Sequence, residues 1–152
     1  MVNRSNIEKR ITTALQPMFD EILEAIENTV NSYLDDLKSS MGATSGKYGW
    51  APLVEADEQD DKFWFKTGKT EQELYVAVSV KDNKITAKAG LPSSSDRYQI
   101  AIWNEFGWHV GSVGKLVKRP LFIPLADQHL AELNVKLANI VNGKKLHIRI
   151  KI

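Results

Sequence analysis

The chain contains no cysteine. Disulfide staples and thiolate metal sites are therefore excluded, and a reducing compartment suits it. It has no run of about 18 apolar residues, so no segment is a candidate for crossing a membrane. The opening MVNRSNIEKR lacks the apolar stretch of a secretion signal, and we expect the chain to be assembled in the cytoplasm of the cell that makes it. Histidine is scarce. His109, His129 and His147 show no H-x-x-x-H spacing and read as scattered, solvated side chains. Nucleophile-elbow, P-loop and dinucleotide glycine motifs are also missing. Gly107, Gly111 and Gly114 lack the strand–turn–helix context of a phosphate cradle and read as loop glycines. These absences lead us to expect no enzyme, no metal site and no cofactor.

What is present is a chain of 152 residues with 43% apolar content, enough for one domain with a real core. The net charge of +1 hides an asymmetry. Residues 1–114 carry 12 Lys/Arg against 17 Asp/Glu (12 − 17 = −5), and residues 115–152 carry 8 against 2 (8 − 2 = +6). Such polarity suits head-to-tail contacts between subunits, although chance segregation on solvated faces would look the same.

Hydrophobic periodicity sets the organisation. Ile7, Ile11, Leu15, Met18, Ile22, Ile26, Val30, Tyr33 and Leu37 fall on one helical face, predicting a long helix over residues 1–40. Ser5 and Glu8 suit a capping box, Glu24, Glu27, Asp35 and Asp36 lie on the outer face, and Pro17 predicts a kink or break near Gln16. Residues 41–62, with Gly42, Gly46, Gly49 and Pro52, read as a mobile connector anchored by Trp50 and Leu53. Its five acids within residues 55–61 lack the alternating ligands and central glycine of a calcium loop and read as solvated. Residues 63–152 read as an α+β core. Phe63-Trp64-Phe65 is a short strand candidate. Residues 74–80 and 84–89 alternate and flank Lys81-Asp82-Asn83, a hairpin. A short helix capped within residues 93–96 runs to Phe106, with Gly107 in the left-handed conformation after it. Residues 108–118 read as an exposed loop. Pro120 or Pro124 opens a second long helix that uses Leu125, Leu130, Leu133, Leu137, Ile140 and Val141 and ends at Gly143. The alternating residues 146–152 read as a last strand. The fold class is α+β: two long helices packed on a small, mainly antiparallel sheet, with a short helix before a glycine stop.

Few residues carry chemistry. Trp103 and Phe106 read as core. Trp108, beyond the helix stop, reads as an exposed interface anchor. Glu105 and Arg119 each sit beside an apolar element, where mutual neutralisation as an ion pair is sensible. Lys144, Lys145, Arg149 and Lys151 form a basic face for docking an acidic neighbour. The alternative use of that face is nucleic-acid binding, although no aromatics alternate with the cations as base stacking would want.

Four landmarks occur in order: Trp50-Ala51-Pro52-Leu53 after the long first helix; Lys66-Thr67-Gly68 ahead of the strand at 74–80; Tyr98-Gln99-Ile100-Ala101-Ile102-Trp103-Asn104-Glu105-Phe106-Gly107, the short helix and its glycine stop; and Arg119-Pro120-Leu121-Phe122-Ile123-Pro124-Leu125 opening the last helix. This series, over about residues 48–140, resembles the virion-morphogenesis (tail-completion) and neck proteins of tailed bacteriophages. It departs from them at Leu121, which separates Arg119-Pro120 from Phe122, and in the acids that follow the W-x-P-L element. The resemblance implies a structural virion protein, a homo-oligomeric ring, often sixfold, at the neck or head-proximal end of the tail. Such a ring terminates the tail and joins it to the DNA-filled head. Its partners would be tail-tube or tail-terminator and head-connector proteins, with genome DNA passing through the channel and no membrane involved. The final strand could then pair with a neighbour's sheet edge.

Overall fold

A computed structural model describes residues 4–41, 69–82, 84–110 and 115–143. The elements are helix α1 (Arg4–Met41), a short helix α2 (Lys69–Gln72), strands β1 (Tyr75–Lys81) and β2 (Lys84–Gly90), helix α3 (Tyr98–Phe106), strands β3 (Trp108–Val110) and β4 (Lys115–Val117), and helix α4 (Phe122–Gly143). The architecture is α+β. α1 and α4 pack together, and α1 also lies against both strands of the β1–β2 hairpin.

The β1–β2 register runs from Tyr75 opposite Gly90 to Lys81 opposite Lys84, so the turn is two residues long, and Asp82 enters it at φ 51°. An aspartate tolerates this left-handed conformation better than most residues with a side chain. Val76, Val78 and Ile85 are half-buried. A lone hairpin is marginal in water, and this one is supported by α1 beneath it.

The core draws on distant parts of the chain. Tyr33, Leu37 and Met41 lie on successive turns of α1, Ala101 comes from α3, and Leu121 and Leu125 come from the start of α4. Leu37, Met41 and Leu121 are wholly enclosed. Burying each is worth about 1.5–3 kcal/mol relative to exposure. Leu74, Ala89, Leu91, Phe122 and Ala126 close around them.

Several local expectations are corrected. α1 runs from Arg4 to Met41 with Pro17 inside it, so no break occurs at Gln16, and Ser5 lies within the first turn instead of capping it. A proline deletes one i to i−4 bond, and a helix of 38 residues has many others. Residues 108–118 are not all loop. Trp108 pairs with Val117, His109 with Leu116 and Val110 with Lys115 as a second antiparallel hairpin. α3 has Arg97 at its N-cap with no side-chain cap. Ser95 instead accepts the Arg97 N–H at 2.9 Å and donates its hydroxyl to Glu73. Gly107 has φ 102° and ψ 158°, a positive φ but not the left-handed helical conformation. The connector with Trp50 and Leu53, the candidate strand at residues 63–65, Lys66-Thr67-Gly68 and the final strand with Lys144, Lys145, Arg149 and Lys151 lie outside the described residues.

Candidate functional site

The last turn of α3 and the first turn of α4 meet at a joint. Asn104 offers its carbonyl to the Arg119 N–H at 2.8 Å, and the Gly107 N–H returns to the Trp103 carbonyl at 2.7 Å. Between these two ties, the chain leaves as β3 and comes back as β4. The sequence motifs ending at Gly107 and beginning at Arg119 are thus two sides of one structure.

Glu105 holds that structure together. Its side chain is buried, and its carboxylate accepts the backbone N–H groups of Leu121 (2.8 Å), Phe122 (3.0 Å) and Ile123 (2.8 Å). The first i to i−4 bond of α4 is Leu125 N–H to the Leu121 carbonyl. The donors ahead of it would be residues 121–124, and position 124 is a proline with no N–H to satisfy. One carboxylate from another helix therefore satisfies every amide donor of the turn, and its charge faces the positive end of the α4 dipole. Arg119 is buried beside this joint.

A cavity of about 310 Å³ opens next to the joint, lined by residues that include Gly90, Leu91, Ala101, Phe122 and Glu105. Gly90 sits at φ 127°, a backbone conformation that favours glycine, and places β2 against the Phe122 ring. Tyr98, Phe106 and Ile123 also line the cavity while staying substantially exposed, Phe106 at 61% and Ile123 at 46%. Trp103, on the outer face of α3, is 51% exposed. This corrects the expectation that Trp103 and Phe106 are core. Ala101 and Glu105, four apart, form the inward face of α3, and the 100° step per residue turns position 103 to the opposite side and 106 to the flank. Trp108 begins β3 at the joint, but its side chain lies outside the described residues.

A second constellation joins α1 to α4. His129 Nε2 and Asp36 Oδ2 are 2.8 Å apart, with the histidine buried and the aspartate about half exposed. The Tyr33 ring meets the His129 ring edge-on at 5.8 Å between centroids, and its hydroxyl donates to the Phe122 carbonyl at 3.1 Å. Burial pushes the Tyr33 phenol well above its ordinary value, and the nearby Glu105 charge pushes it further. His129 is therefore not a solvated histidine as expected. The sequence carries no signal for this cluster, because His129 lies 93 positions from Asp36. Among the described residues, no group of His, Asp and Glu could hold a metal ion, and no helix is long and apolar enough to cross a membrane. The chain matches no family model, no curated protein and no solved structure.

Proposed function

We propose that this chain is a structural virion protein of a tailed phage: a tail-completion or neck subunit that forms a ring, ends the tail and joins it to the DNA-filled head. The observation that carries the reading is the joint. Two of the motifs that carry the resemblance, one ending in Asn104-Glu105-Phe106-Gly107 and one opening with Arg119-Pro120-Leu121-Phe122, are clamped to each other by the Glu105 carboxylate. Beside that clamp lies an outward apolar surface of Tyr98, Phe106 and Ile123. Exposed aromatics on a rigid support are suited to anchoring a protein contact. Among the described residues Glu105 is the one charged side chain lining the cavity, and both its oxygens are committed to backbone N–H groups, so the described lining offers shape and apolar area.

The opposite charge of the two chain regions, −5 and +6, adds a second element. Ring contacts between copies are heterologous and need two different, complementary patches per subunit. In this reading the chain works by fitting against copies of itself and against tail and head-connector proteins, and genome DNA passes through without sequence-specific contact.

The test is complementation in assembly. Phage lysates lacking the chain should accumulate filled heads and unjoined tails, and adding the purified protein should restore joined particles that contain it. Joining that proceeds equally well without the chain, or joined particles from which it is absent, would contradict the proposal.

A further inference from the structure

We propose that the cavity beside the α3–α4 joint receives the C-terminal segment, residues 146–152, of a second copy of this chain. The inference deepens the assembly reading above and rests on it, since it names what one subunit presents to the next.

The receiving surface is apolar, with a volume of about 310 Å³ and exposed Tyr98, Phe106 and Ile123 along it. That is at the small end of the range for clefts that bind ligands. The segment has matching chemistry. The sequence alternates, so an extended segment would place Leu146, Ile148, Ile150 and Ile152 on one face, about 6.6 Å apart, and His147, Arg149 and Lys151 on the other. Residues 144–152 carry Lys144, Lys145, Arg149 and Lys151 and no acid, whereas the region that supplies most of the cavity, residues 1–114, has a net charge of −5. Charge therefore favours the encounter and the apolar face supplies the contact.

Reach decides which copy supplies the segment. The cavity touches Phe122, Ile123 and Ala126 in the first turns of α4, and the segment leaves α4 at its other end, after Gly143. The 22 residues of α4 are about 33 Å long at 1.5 Å per residue. The nine residues that follow Gly143 (152 − 143) span at most about 32 Å when fully extended. A segment that doubled back along its own helix would be nearly fully extended on reaching the near edge of the cavity at Ala126, about 26 Å from Gly143, and too little of it would remain to lay its apolar face along the cavity. A neighbouring copy has no such limit. Donor and acceptor surfaces at opposite ends of one helix make the contact head-to-tail, the kind that closes into a ring or runs on as a filament.

The experiment uses the full chain and a synthetic peptide, KKLHIRIKI, with a scrambled peptide of the same composition as control. Mass is followed by analytical ultracentrifugation at a concentration where the chain associates. The peptide in excess is expected to return the mass to the single-chain 17.1 kDa, and the scrambled control to leave it unchanged. Phe106→Asp is expected to weaken both association and peptide binding by about tenfold or more, with the melting transition unchanged because the side chain is largely exposed. A chain ending at Gly143 checks the same point without peptide. Association that survives both the peptide and the truncation would overturn this inference while leaving the assembly reading in place. A chain that stays single at every concentration and binds no peptide would overturn both.

Discussion

The two ends of α1 carry the same repeat of apolar residues and meet different fates. From Thr29 to Met41 the helix sinks into the core, with Tyr33, Leu37 and Met41 buried on successive turns. From Ser5 to Asn28 no side chain is buried, although Ile7, Ile11, Leu15, Met18 and Ile22 keep the periodicity and are half-covered. Periodicity identifies the face that turns from water. How deeply that face is buried depends on what the rest of the chain brings to it. Opposite the last turns of α1 stand Leu121 and Leu125 from the start of α4 and Ala101 from α3, placed there by the joint.

The sharpest way to break this contrast is Leu37→Ala. Removing a side chain with no exposed surface should cost about 2–5 kcal/mol in denaturant unfolding. The matched change Leu15→Ala, at the half-covered end, should cost about 1 kcal/mol or less in the same measurement. Equal losses would mean that both ends contribute alike and would remove the distinction. Glu105→Ala comes next, at about 2–4 kcal/mol, because it strands three backbone donors at the first turn of α4. Glu105→Gln, which keeps an acceptor oxygen without the charge, should recover part of that loss.

Tyr33→Phe should cost about 1 kcal/mol by deleting the bond to the Phe122 carbonyl. It also tests a pH dependence. The folded-state phenol sits above its unfolded value, so Tyr33's contribution is fully present below about pH 10 and is lost as pH rises beyond it. The parent should lose stability more steeply than the variant in alkaline denaturation. Coincident alkaline profiles would show that Tyr33 is not linked to folding. The smallest effect belongs to Asp36→Asn. Its carboxylate is about half exposed, so losing the partner of His129 should cost under about 1 kcal/mol.

The sequence made α1, the β1–β2 hairpin, α3 and α4 legible, because each rests on a local pattern: a 3.6-residue or two-residue period, a turn at Asp82, a glycine or proline stop. It flagged Glu105 and Arg119 as charges beside apolar elements, and both are buried at one joint. What Glu105 does was not legible. Capping a helix that begins 17 positions later is a tertiary act, and a lone glutamate before Phe-Gly gives no sign of it. The exposure of Trp103 and Phe106 was misread for a related reason. In a nine-residue helix, the two inward positions are fixed by what packs beneath them, and composition alone favours the aromatics. The Asp36–Tyr33–His129 cluster had no local signature.

The central claim is that this chain acts by assembling with copies of itself, and its mass in solution as concentration rises tests that most directly. The account predicts a climb from 17.1 kDa to a plateau at a fixed multiple, with six copies the expected ring. A mass of 17.1 kDa held across the whole range, with and without phage tails, would contradict it.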